Sequence, residues 1–124
     1  MNRPQRNFNP GNIKQLKKTP WKGSDGQDQD GFAIFKAPFW GWRALVREIE
    51  SEIEKNPEVT VKEFIYQYAP PHENVTLAYM MFVCSKTTVG HERKPCFPGT
   101  RLADCNLGQL IEAIATYEGW YAKS

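Results

Sequence analysis

Glu118 closes an apolar stretch near the C-terminus and is flanked by Tyr117, Trp120 and Tyr121. Aromatic surroundings desolvate a carboxyl group and favour its protonated form, which suits a general acid. Cleaving a bond between two sugars needs such an acid, and normally a second carboxylate that stabilises an oxocarbenium-like centre or activates water. Spacing alone favours a plainer role for Glu118, a surface acid on a frayed helix end. Glu73 is the competing carboxylate. It lies in Ala69-Pro70-Pro71-His72-Glu73-Asn74, a rigid turn feeding a helix N-terminus where the helix dipole favours negative charge, so helix capping is as natural for it as catalysis.

Asp25, Asp28 and Asp30 crowd one short segment, where they supply a second carboxylate or simply keep a turn soluble. Trp21, Phe39, Trp40, Trp42, Trp120 and Tyr121 offer flat apolar faces of the kind sugars stack on, and most of these belong in a core. Trp42 fits the inward face of a helix, whereas Trp21 and Trp120 lie beside loops and suit a groove. The three cysteines, Cys84, Cys96 and Cys105, are too few and too irregularly spaced for a disulfide framework. A bridge between Cys96 and Cys105 after export is one alternative, and reduced thiols in a protein made in the cytoplasm are the other. A zinc site would have to recruit nearly every Cys together with His72 and His91, so neither metal nor cofactor is expected.

The elements that must hold these residues follow from periodicity and punctuation. Residues 7–23, rich in Asn, Pro and Gly, read as loop with short extended pieces. The polar run 24–30 followed by Gly31-Phe32-Ala33-Ile34-Phe35 predicts a small hairpin stopped by Pro38. From Gly41 a helix carries Trp42, Leu45, Val46, Ile49 and Ile53 on one face and ends at Asn56-Pro57. Thr60 and Glu63 form the pattern of a capping box opening a second helix with Val61, Phe64, Ile65 and Tyr68, closed by Pro70-Pro71. A third helix through 76–88 carries Leu77, Met80, Met81, Val83 and Cys84, and Gly90 ends it. An irregular basic loop passes Pro95 and Pro98. Asn106 then caps a last helix whose buried stripe is Leu107, Leu110, Ile111, Ile114 and Ala115, with Gly119 as its stop. The fold class expected is α+β, mainly helical, with four main helices and a small β-hairpin.

The 124 residues suffice for one domain, 1–124, with 1–6 as an unstructured lead. A net charge of +2 does not mark a nucleic-acid binder. Charge is uneven, however: Arg3, Arg6, Lys14, Lys17 and Lys18 precede any acid, a segment that suits an anionic polymer or is simply solvated. No apolar run follows the basic start as a secretory signal requires, and none is long enough to span a membrane.

Several pieces together resemble a family of phage virion-associated, lysozyme-like proteins. They are Asn9-Pro10-Gly11-Asn12-Ile13, Trp21-Lys22-Gly23, Gly31-Phe32 with Phe35, Gly41-Trp42-Arg43-Ala44, Tyr68-Ala69-Pro70-Pro71 with Glu73-Asn74 and Thr76, and Tyr79. The likeness covers most of the chain. It departs from the family at Val75, where an Asp often follows Glu-Asn. More distantly, the chain resembles the glucosaminidase-type peptidoglycan hydrolases of the lysozyme superfamily, in which a helix ending in a catalytic Glu precedes an Asn-x-x-Gly-Ile-Lys segment. Here Asn9-Pro10-Gly11-Asn12-Ile13-Lys14 looks like that segment, and residues 107–120, with Glu118-Gly119-Trp120, look like the helix, in reversed order.

The resemblance implies a lysozyme-like domain, circularly permuted, in which the last helix packs beside Asn9, Asn12 and Tyr68. It also implies a phage or prophage peptidoglycan glycosidase: a muramidase, glucosaminidase or lytic transglycosylase. Glu118 is then the general acid, Tyr68 and Glu73 orient substrate or water, and Asn9, Asn12, Trp21 and Trp120 line the groove. The implied partner is bacterial peptidoglycan, met by a monomer at the cell wall, in the periplasm or within the virion after synthesis in the host cytoplasm without a signal peptide. No nucleic acid and no membrane insertion are implied. The alternative is a non-catalytic virion structural or glycan-binding protein that packs against other virion proteins.

Overall fold

A computed structural model describes residues 1–16 and 18–121, so Lys17, one of the early basic residues, lies outside the described residues. The chain divides into two compact units, one of Met1–Glu48 with Ile114–Ser124 and one of Ile49–Ala113. Among the described residues it is α+β and mainly helical, with two small antiparallel hairpins.

The first unit begins with a short helix, α1 (Arg3–Arg6), where the sequence suggests an unstructured lead. Four residues are too few to show a periodicity, but local chemistry suffices. Asn2 caps the helix by accepting from the Gln5 N–H at 3.1 Å, and Pro4 sits in the first turn, where its missing N–H costs nothing. Arg3 is ion-paired with Asp30 at 3.1 Å and Asp28 at 3.7 Å and stacks on Phe32 with its guanidinium 4.0 Å from the ring centre. Part of the basic segment is therefore neutralised within the molecule.

The expected hairpin is present as β1 (Ser24–Gln27) and β2 (Ala33–Phe35), antiparallel. Residues 13–15 run beside β2: Ala33 N–H donates to Ile13 O, Gln15 N–H donates to Gly31 O, and Lys14 bridges Phe32. Pro38 begins α2 (Pro38–Lys55) instead of merely ending the strand, because a proline is tolerated in a helix's first turn. The buried apolar residues of this unit are Ile13, Ala33, Phe35, Ala44, Leu45, Ile114 and Ala115.

In the second unit, α3 (Val61–Tyr68) opens on the expected capping box: Glu63 N–H donates to Thr60 Oγ1, and Thr60 N–H to the Glu63 carboxylate at 2.9 Å. It packs against α4 (Thr76–Lys86). The buried face of α4 is Thr76, Tyr79, Met80, Val83 and Cys84, a regular i, i+3, i+4, i+7, i+8 stripe. Leu77 and Met81, expected inside, are 59% and 53% exposed. Apolar residues occupy both sides of this helix, so composition could not select the face. Residues 88–95, where the sequence suggests a helix running to 88, its stop at Gly90 and an irregular loop beyond, form a second hairpin of β3 (Thr88–Val89) and β4 (Lys94–Pro95), with Gly90 and Arg93 both at positive φ in its turn.

The stretch after β4 is stitched to α3: Lys62 N–H donates to Pro98 O, Val61 N–H to Thr100 O, and Leu102 N–H to Val59 O. Asn106 caps α5 (Leu107–Glu118) by accepting from Gln109 N–H at 2.9 Å. Leu110, Ile114 and Ala115 are buried as expected, and Leu107 is 38% exposed, at the end of the stripe.

Candidate functional site

The first unit places the end of α5 against the turn formed by residues 9–12. Asn9 shapes that turn. Its side chain is fully buried, its Nδ2 donates to Ile13 O and Ala33 O, each at 2.9 Å, and its Oδ1 accepts from Ile13 N–H at 3.0 Å. With its amide committed to the backbone and no surface exposed, Asn9 sets the turn. Gly41 of α2 lets that turn approach: a Cβ there would lie 2.2 Å from Phe8 O and 2.6 Å from Pro10 Cδ.

Asn12, at the turn's far end, has left-handed backbone (φ 50°), a conformation Asn adopts more readily than most residues. Its Nδ2 donates to Glu118 Oε1 at 3.2 Å. Its Oδ1 is buried and has no hydrogen-bond partner. Glu118 is half-buried at the last position of α5. Gly119 follows with φ 107°, turning the chain away, and its carbonyl accepts from Asn2 Nδ2 at 2.7 Å. Tyr121 N–H donates to Gln5 Oε1 at 3.0 Å, so α1 holds the residues on either side of Trp120. Trp120 meets Trp42 edge to face, ring centres 6.0 Å apart. Trp21 is half-buried, its indole N–H donating to Lys14 O at 3.1 Å. Asn12, Glu118, Trp21 and Trp120 thus all belong to the first unit.

Tyr68 and Glu73 belong to the second. Tyr68 is half-buried at the end of α3, its ring tilted on Phe64 with centres 5.4 Å apart. Glu73 is exposed beside His72, with 3.9 Å between His72 Nε2 and Glu73 Oε1. It does not cap α4: the N-cap position is Val75, with no side-chain hydrogen bond, and Thr76 Oγ1 instead donates to Ala69 O.

Asp28 and Asp30 do structural work. Asp28 accepts from Asn7 Nδ2 at 3.0 Å and from the N–H groups of Asp30 and Phe32 at 2.9 and 3.0 Å. Burial pushes its carboxyl up, but these bonds and Arg3 outweigh it and hold the group below its ordinary 3.8.

Sequence reasoning missed one cluster: the three thiols converge in the second unit, Cys96 Sγ lying 3.8 Å from Cys84 Sγ and 4.0 Å from Cys105 Sγ. Only the sharing of Cys84 was unforeseeable, since it lies on the buried face of α4 and the other two follow in the stretch beyond it. Among the described residues no group of three or more His, Cys, Asp or Glu side chains is arranged to hold a metal ion, and no helix is long and apolar enough to cross a membrane.

No family model matches the chain. It is similar to Protein P5 of Pseudoalteromonas phage PM2, with 35% identity over 92 residues, 72% of this chain and 58% of the phage protein. The chain is thus homologous to part of a bacteriophage protein and spans little more than half of that protein's length.

Proposed function

We propose that the chain is a phage or prophage peptidoglycan glycosidase in which Glu118 is the general acid. The observation that carries this reading is the hydrogen bond from Asn12 to Glu118. It joins the two segments that resemble, in reversed order, the catalytic helix and the following Asn-bearing segment of wall glycosidases. Homology to a bacteriophage protein supports the same setting. The local chemistry is favourable as well. A carboxyl at the C-terminal pole of a helix meets the negative end of the macrodipole, which suits a group that must carry a proton. The neighbouring amide fixes its orientation, and Trp120 and Trp21 supply apolar faces in the same unit for sugar rings.

In this mechanism Glu118 protonates the oxygen of the scissile MurNAc-GlcNAc link as the bond breaks, and Asn12 keeps the carboxyl aimed. The charge that develops on the sugar is met either by water, giving hydrolysis, or by the sugar's own hydroxyl, giving an anhydro product.

The decisive test is clearance of a purified peptidoglycan suspension with mass analysis of the products. Wild-type protein clears it, and Glu118→Gln, with an unchanged circular dichroism spectrum, loses at least about a hundredfold of the rate, the scale of a general acid's contribution. A folded Glu118→Gln protein that clears at the wild-type rate removes Glu118 from the chemistry. Wild-type protein that sediments with peptidoglycan without cutting it establishes instead a non-catalytic glycan-binding role.

A further inference from the structure

Three separate pieces of the second unit each contribute one sulfur to the thiol cluster. Cys84 comes from the last turns of α4, Cys96 directly follows β4, and Cys105 follows the 3-10 turn Leu102–Asp104. Cys96 is the shared member, in contact with both others at 3.8 and 4.0 Å. A disulfide needs about 2.05 Å between sulfurs, so side-chain rotation has roughly 2 Å to close. The backbone is held on both sides: Phe97 N–H donates to Thr100 Oγ1 at 2.9 Å, Asn106 N–H donates to Thr88 O at 2.9 Å, and Val89 bridges Cys105.

The three sulfurs are not equivalent. Cys84 and Cys96 are 7% and 6% exposed, whereas Cys105 is partly open to solvent. The Cys96 thiol is drawn down to about 6, first by the Cys105 thiol and then by Cys84 and Thr100, against the effect of burial. Its neighbours are pushed up, Cys105 first by its bond with Cys96 and Cys84 first by burial. Solvent access therefore singles out Cys105 for contact with an outside reagent, with Cys96 directly behind it at 4.0 Å.

We infer that Cys105 and Cys96 form a thiol–disulfide exchange site for small-molecule disulfides, with Cys105 as the point of entry and Cys96 as the resolving thiol. The Cys105 proton passes to the Cys96 thiolate, 4.0 Å away, as the Cys105 sulfur attacks one sulfur of the external disulfide. A mixed disulfide forms and one external thiolate leaves, taking that proton from Cys96. The Cys96 thiolate then attacks the Cys105 sulfur, closing the Cys96–Cys105 bond and expelling the second external thiolate. Two protein thiols are oxidised and one external disulfide is reduced to two thiols, so atoms and electrons balance. The product ties β4 to the start of α5, and Cys84 remains a thiol.

The test treats folded protein with oxidised glutathione, then counts free thiols and maps peptides by mass. The expected result is a fall from three free thiols to one, with the linkage at Cys96–Cys105 and a higher melting temperature than the reduced protein. Cys105→Ser, checked for fold by circular dichroism, should remain unmodified, and Cys84→Ser should form the same linkage as wild type. Three thiols still free after treatment overturn the inference. So does a Cys84–Cys96 linkage, a glutathione adduct that never resolves, or thiols that react only after a chelator has removed a metal.

Discussion

Asn12 Nδ2 donates to Glu118 Oε1 across 3.2 Å, between residues separated by 106 positions in the chain. Turning the Asn12 amide over would present its unpartnered Oδ1 to the same carboxyl, so one side chain can serve Glu118 as donor when it is ionised and as acceptor when it is protonated. Asn12→Gly keeps the left-handed backbone and removes the amide. Its melting temperature should stay near that of the wild type while peptidoglycan clearance falls about tenfold, a change of roughly 1.4 kcal/mol in the barrier. Wild-type clearance by this variant would show that Asn12 does not position Glu118.

Asn9 should behave in the opposite way. Its side chain makes three hydrogen bonds with the backbone at a fully buried position, so Asn9→Ala strands the Ile13 N–H and leaves two carbonyls short of a partner. The expected loss is about 2–4 kcal/mol of unfolding free energy. Asn9→Asp should be no better, because a buried carboxylate cannot donate and would face those two carbonyls. Urea denaturation decides it, and a change below about 0.5 kcal/mol for Asn9→Ala would mean the turn has other support.

Two glycines separate close approach from mere flexibility. Gly41→Ala drives a Cβ to 2.2 Å from the Phe8 carbonyl oxygen and should cost about 1–3 kcal/mol. Gly108→Ala, in the first turn of α5, meets only Asn106 Oδ1 at 3.5 Å and should be neutral or stabilise by up to about 1 kcal/mol. Equal melting temperatures for the two variants would contradict the packing of α2 on the 9–12 turn.

Asp28 gives the first unit an acid-sensitive joint. Its folded carboxyl lies below the ordinary 3.8, so its contribution to stability is fully present above that value and is lost as pH falls through the lower, folded one. Asp28→Asn should therefore melt at a lower temperature than wild type near neutral pH, with the gap shrinking once pH drops below about 3.8. A gap independent of pH would assign the stability to shape rather than charge.

Signals that close within four residues were legible before any tertiary contact was considered. Thr60 and Glu63 cap one another, Asn106 caps α5, and Gly119 stops it with φ 107°. Each depends on a bond between chain neighbours or on a backbone preference of a single residue, which composition and spacing encode directly. Glu118 is picked out the same way, as an acid among aromatics at a helix end.

What spacing could not decide was any choice settled by partners far along the chain. α4 is apolar on two sides, and only packing against α3 turns Tyr79 inward and leaves Leu77 and Met81 outside. Residues 88–95 lack the alternation of a long strand and become a hairpin by pairing in place. That Asn9 is buried follows only once the backbones of Ile13 and Ala33 close around it. Glu118 likewise meets Asn12 only because the last helix returns to the turn that Asn9 builds and Asn12 ends. Such contacts depend on which distant surfaces bury most completely, a property of the folded whole that no local pattern carries.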